Sequence, residues 1–190
     1  MSSTLRGYER HKSDYYITPV DEIIKFIKEF KKVEKLNGFI LDPCAGGDKN
    51  HKMSYPQALK KAGIKDSNIK TIDIRKDSRA LIKKNYLKME VKDDDLDIII
   101  TNPPFKIARK IIEKALKDVK NGGFVIMLLR LNYFGSQKRF DLWQKQLPKY
   151  CFVHHQRMSF TDNGKTDSIE YCHLVWEKGL KPDFSKLKVI

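Results

Sequence analysis

Residues 124–129 (Phe-Val-Ile-Met-Leu-Leu) form an unbroken apolar run. A strand loses its polar alternation when both of its faces are covered, as in the middle of a sheet flanked by helices. The rest of the chain supplies the matching parts. Residues 39–42, 69–74 and 97–101 read as further buried strands. Residues 150–154 and 169–176 read as two closing strands, joined by the polar loop 159–168. Pro19 can start a helix carried by Val20, Ile23, Ile24, Phe26, Ile27, Phe30 and Val33, which Asn37-Gly38 ends. Residues 55–62 form a short helix with Ser54 as its N-cap, and 78–84 a helical turn or two. Ile107, Ile111, Ile112, Ala115, Leu116 and Val119 mark an amphipathic helix over 105–119, and 136–147 a further one. This order predicts an α/β fold: a mostly parallel sheet with helices on both faces and right-handed crossovers. Ligands of such sheets bind beyond the carboxyl ends of the strands.

The chain of 190 residues suits one domain, and no repeat or linker divides it. The expected layout is a flexible segment 1–14, a single domain 15–177 and a basic C-terminal tail 178–190. Its apolar runs are too short to span a bilayer, and the polar N-terminus lacks the apolar core of a signal peptide. Cytoplasmic location follows as an expectation, with no membrane partner. Three cysteines, Cys44, Cys151 and Cys172, fit reduced thiols better than a disulfide framework.

Lysine and arginine number 38 against 24 acids, a net charge of +14. A polyanionic partner is the usual physical reason for such an excess, because each neutralised phosphate releases a counterion. A lysine-rich source would give the same number. Lys106, Arg109, Lys138 and Arg139 are candidate phosphate contacts, or equally solvated helix faces.

Two segments at strand ends carry chemistry. Asp42-Pro43-Cys44-Ala45-Gly46-Gly47-Asp48 follows the first strand, and a side chain at Gly46 would keep a ligand from the backbone. Asp73, ending the next strand, can accept both hydroxyls of a ribose or simply cap a turn. Asn102-Pro103-Pro104-Phe105 stops the strand 97–101. The prolines fix the backbone and remove donors, so the Asn side chain and nearby carbonyls present acceptors that can hold an amino group. Phe105 can stack on the ring bearing that amine, or tuck into the core.

In these residues the chain resembles the S-adenosylmethionine-dependent amino-methyltransferases, and among them the DNA adenine-N6 methyltransferases. Asn102-Pro103-Pro104-Phe105 matches their catalytic motif, residues 42–47 look like their cofactor loop, and Asp73 matches the acid that binds the cofactor ribose. Tyr15-Tyr16-Ile17-Thr18-Pro19 resembles the Thr-Pro motif over the methionine end. The resemblance covers residues 14–176 and implies a Rossmann-like class I methyltransferase fold with a seven-stranded sheet. It implies S-adenosyl-L-methionine as cofactor, held by Tyr16, Thr18, Asp42, Cys44, Ala45, Gly46, Asp73, Asn85, Tyr86 and Asn102. It also implies catalysis by Asn102, Pro103, Pro104 and Phe105 on N6 of adenine in a flipped or single-stranded base, DNA before RNA. The same motif serves RNA methylation at adenine N6 or guanine N2 and methylation of protein glutamine. A non-catalytic nucleic-acid-binding module is the alternative from a different class.

The chain departs from the family's pattern in three places. Cys44-Ala45-Gly46-Gly47 replaces an aromatic or Ala with two separated glycines, and the loop runs on to Met53. Asn85-Tyr86 stands where the family commonly has Asp-Phe against the cofactor adenine. No stretch is left over for a target-recognition domain, so recognition falls to residues 130–139 and 159–168 or to a separate partner of this monomer.

Other residues read more plainly. Cys151, His154, His155, Cys172 and His173 match no compact zinc spacing, so no metal is expected. Tyr133-Phe134 can line a base pocket or pack in the core. His51 reads as a solvated polar residue, and Trp143 and Trp176 as core.

Overall fold

Ile98, Ile99 and Ile100 are all buried, and they point alternately into two different cores. This is the two-faced burial that unbroken apolar strands require. The structure is a computed structural model that describes residues 16–91, 96–160, 166 and 168–190. The expected flexible segment 1–14, Tyr15 and much of the loop 159–168 lie outside the described residues.

The strands are β1 (Phe39–Asp42), β2 (Ile69–Asp73), β3 (Ile82–Lys83), β4 (Leu96–Thr101), β5 (Phe124–Arg130), β6 (Tyr150–Val153), β7 (Tyr171–Glu177) and β8 (Lys186–Val189). They form one sheet in the order β3-β2-β1-β4-β5-β7-β6-β8. β7 runs antiparallel between β5 and β6, and every other pairing is parallel. One face is covered by α1 (Val20–Phe30) and α2 (Ser54–Lys61), whose Ile23, Phe26, Ile27, Ala58 and Leu59 pack on Ile40, Ile98, Ile100 and Ile126. The other is covered by α3 (Ala108–Asp118), whose Ala108, Ile111, Ile112 and Ala115 pack on Leu41, Ile99, Val125 and Met127. The short α4 (Phe140–Lys145) follows two turns of 3-10 helix.

The parallel pairing of β1, β2 and β4 brings Asp42, Asp73 and Thr101 to one rim of the sheet. No helix among the described residues is long and apolar enough to cross a membrane.

Five expectations change. The sheet has eight strands, not seven. Residues 186–189, expected in a tail, pair with β6 through alternating Tyr150↔Lys186 to Val153↔Val189 contacts, and Lys188 is anchored by Glu29. Residues 82–83 form a strand instead of a helical turn, because half-buried Ile82 packs on the core and the Leu81 amide donates to the Thr71 hydroxyl at 2.9 Å. Ser54 is the first helical residue, not the N-cap; Met53 holds the cap position with an extended backbone. α1 stops at Phe30, well before Asn37-Gly38, and Val33 is left half exposed.

Candidate active site

The loop after β1 is tied to the tip of β2 by three hydrogen bonds, and a fourth within the tip holds Asp73 in place. The Ala45 amide donates to the Ile72 carbonyl at 3.0 Å, and the Gly46 amide to Asp73 Oδ2 at 2.8 Å. The other Asp73 oxygen accepts from the Arg75 amide at 2.8 Å, and buried Arg75 returns a guanidinium bond to the Gly47 carbonyl at 2.6 Å. Gly46 and Gly47 lie at φ +65° and +72°, where L side chains are strained. A Cβ on Gly47 would also stand 3.0 Å from Met53 Cγ and 3.1 Å from Arg79 Cβ.

A cavity of about 270 Å³ opens between this loop and the tip of β4. Tyr16, Thr18, Gly46, Asp73, Asn102 and Pro104 all line it. The Asn102 side-chain nitrogen donates to the Thr18 hydroxyl at 3.0 Å, which leaves the amide oxygen as the acceptor of that group. Asp42 lies behind the loop, fully buried, with Oδ1 accepting from the Cys44 amide at 3.2 Å. Burial pushes its carboxyl up to about 7, with the Asp73 charge adding to the effect and the Cys44 amide opposing it. Burial, together with the Asp42 and Asp73 carboxyls, raises the Cys44 thiol well above its ordinary value, so it stays protonated.

No protein-family model and no curated protein matches this sequence. Solved structures match its shape. A Listeria monocytogenes protein proposed to be a class I S-adenosylmethionine-dependent methyltransferase superposes with a TM-score of 0.60 at 17% identity, covering 92% of this chain and 65% of that one. A Pyrococcus horikoshii protein proposed to be an RNA methyltransferase gives 0.61 at 17% identity over 94% of both chains. The M protein of the type I restriction enzyme EcoKI gives 0.56 at 14% identity, over 94% of this chain and 46% of that one. The chain has the class I methyltransferase fold. It spans less than two thirds of the Listeria protein and less than half of the EcoKI protein.

Within this methyltransferase fold, Tyr16, Thr18, Cys44, Ala45, Gly46, Asp73, Asn85, Tyr86 and Asn102 all line the one cavity. Three of the named residues do not. Asp42 and Pro103 are buried behind the wall, and Phe105 stands beside it, tilted against Tyr171 (6.1 Å between centroids) with the Arg130 guanidinium 4.8 Å over its ring. Asn85 Oδ1 accepts from the Leu87 amide at 3.0 Å, capping the 3-10 turn Tyr86–Lys88. The Tyr86 hydroxyl donates to Asp118 at 2.7 Å, and burial raises its pKa. Sequence reasoning passed over Tyr55, Arg75, Leu87, Ile107 and Ile111, which also line the cavity. Of these, only Ile107 and Ile111 carried a signal, the apolar spacing of an amphipathic helix; Ile111 is buried on the inward face of α3, whereas Ile107 precedes the helix and is exposed.

The four basic candidates divide. Lys106 and Lys138 are exposed. Arg109 is clamped by Asp141 at 2.5 and 2.8 Å and by Glu113 at 2.8 Å, so its charge is already matched. Arg139 lies 4.2 Å over the Tyr133 ring and donates to the Tyr133 carbonyl at 2.6 Å. Tyr133 and Phe134 pack on Trp143, the core alternative for that pair. His51 is half-buried against Asp48 at 3.0 Å, not freely solvated.

Proposed function

We propose that the chain is an S-adenosylmethionine-dependent methyltransferase acting on an exocyclic amino group in nucleic acid, with N6 of adenine in DNA as its target. One juxtaposition carries this reading: the Asp73-anchored glycine loop and the Thr18-oriented Asn102 amide are walls of the same cavity. The residues fit the cofactor. Asp73 offers acceptors for ribose hydroxyls, Gly46 and Gly47 leave room along the backbone, and Leu87 and Ile111 give an apolar bed for a purine. When bound, the cofactor supplies an electrophilic methyl group on a sulfonium.

The chain's own residues do the rest. Asn102 Oδ1 accepts a hydrogen of the target amine, which turns its lone pair out of conjugation with the ring. Phe105, backed by Arg130 and Tyr171, closes the substrate side against an extruded base. A base within a duplex is out of reach, so flipping costs a few kcal/mol unless the substrate is single-stranded. Alignment inside a closed cavity then supplies much of the rate. No nucleophilic side chain is required, in keeping with the protonated Cys44. The net charge of +14 and the exposed Lys106 and Lys138 support a phosphate-bearing substrate over a protein amide. Residues 130–139 and 159–168, or a separate partner, supply the choice of sequence.

The likeness to the P. horikoshii protein over nearly the full length of both chains favours RNA as the second reading, at adenine N6 or guanine N2. Methyl-labelled cofactor offered with DNA, RNA and protein, followed by nucleoside analysis, tests both. Label in N6-methyldeoxyadenosine supports the first reading, and label in RNA the second. Label only in protein, or in nothing, overturns both.

A further inference from the structure

Four side chains, three of them buried, form one line from Glu22 on α1 to the cavity. Tyr55 lines the cavity, and its hydroxyl lies 3.0 Å from His173 Nε2 on β7. His173 Nδ1 lies 2.8 Å from His154 Nε2, just beyond β6, and His154 Nδ1 lies 3.0 Å from Glu22 Oε2 on α1. Tyr55, His154 and His173 are 3%, 1% and 0% exposed. The other Glu22 oxygen accepts from Lys25 at 2.7 Å, and Phe26 stacks flat on the His173 ring at 4.1 Å.

One end of the line fixes the direction of every bond in it. Burial works against an ionised Glu22, but hydrogen bonds from Lys25 and His154 outweigh it and hold the carboxyl below its ordinary value. Burial keeps both imidazoles neutral by lowering their pKa values, His173 most strongly. A carboxylate only accepts, so the His154 hydrogen sits on Nδ1 and Nε2 is left as an acceptor. That acceptor takes the hydrogen on His173 Nδ1. His173 Nε2 in turn takes the hydroxyl hydrogen of Tyr55.

We propose that this polarised line makes the Tyr55 oxygen a fixed acceptor at the cavity wall, selecting a ligand group that donates. Given the cofactor reading, on which this inference rests, the group selected is the α-ammonium of the methionine portion. Glu22, His154 and His173 are positioning residues acting through Tyr55.

Two measurements test it. Nitrogen-15 NMR of the histidines in the unmodified protein is expected to show His154 and His173 both as Nδ1–H tautomers. An Nε2–H tautomer at either position reverses the line and overturns the proposal. Calorimetry is then run with S-adenosylhomocysteine and with 5′-methylthioadenosine, which lacks the amino-acid portion. Y55F is expected to weaken the first about tenfold or more and leave the second within about twofold. E22Q, whose amide can donate to His154, is expected to shift affinities in the same direction. If the parent binds both compounds and Y55F binds S-adenosylhomocysteine equally well, this inference alone fails. If the parent binds neither, the cofactor reading fails and takes this inference with it.

Discussion

Asn102 and Thr18 are 84 residues apart in sequence, yet the Asn102 side-chain nitrogen donates to the Thr18 hydroxyl at 3.0 Å. This bond joins the tip of β4 to the segment entering α1 and decides which end of the amide meets a substrate. With the nitrogen committed, the oxygen is the end that can accept from an amine. Asn102→Ala is therefore expected to lower single-turnover methyl transfer by about a hundredfold or more, the usual scale for losing one fixed polar group at a reacting centre. Cofactor affinity by calorimetry should stay within about twofold. Thr18→Val should cost about tenfold in rate, because the amide keeps its place but loses its orientation. Equal loss of rate and affinity in Asn102→Ala would make Asn102 a structural residue.

Asp73 does two jobs with one carboxylate, holding the Gly46 and Arg75 amides at 2.8 Å each. Asp73→Ala is expected to weaken S-adenosylhomocysteine by more than tenfold, since it removes a ribose acceptor and loosens the loop together. Asp73→Asn keeps one acceptor oxygen and should fall between the two. Calorimetry showing parental affinity in Asp73→Ala would remove this residue from the site.

Asp42 gives a pH dependence with a definite sign. Its carboxyl ionises near 3.8 in an unfolded chain and at about 7 in the folded one. Between these values the folded state holds the extra proton. This contribution to stability is therefore complete below 3.8 and is lost as pH rises through about 7. Asp42→Asn cannot ionise, so its stability relative to the parent should rise by about 2 kcal/mol between pH 5 and pH 8. Urea unfolding of both proteins at the two pH values measures the difference. A constant gap would show that Asp42 is ionised in the fold throughout.

Gly38 stands at φ +80°, and a Cβ built on it would fall 1.9 Å from Asp97 Oδ2, the atom that accepts from the Phe39 amide at 2.7 Å. This turn aligns the starts of β1 and β4. Gly38→Ala is expected to cost about 2 kcal/mol or more, combining left-handed backbone strain with displacement of the Asp97 carboxylate. Denaturant unfolding with an unchanged m-value checks it; a cost under about 0.5 kcal/mol would mean that the turn relaxes freely.

The sequence made legible the parts whose signal is local. Ile40-Leu41, Ile98 to Ile100 and Val125 to Leu129 are apolar because they are covered on both faces, and the ends of β1, β2 and β4 are readable from Asp42, Asp73 and Asn102. β3 was not, since two residues show no period and a Thr71 hydroxyl decides their course. β8 alternates Lys with Leu and Val but stays wholly exposed, so nothing in its composition separated a strand from a basic tail. Tyr55 and its histidines escaped for another reason. Their partners are 118, 19 and 132 residues apart, and each residue alone resembles ordinary core. Arg109 looked like a free cation because Asp141 meets it only in space.

A crystal structure of the protein with S-adenosylhomocysteine tests the central claim most directly. The account predicts the ribose hydroxyls on Asp73 and the sulfur facing the Asn102 amide, with room for one methyl group and one amine between them. A ligand bound outside this cavity, or lying in it with its sulfur turned away from Asn102, would contradict the account.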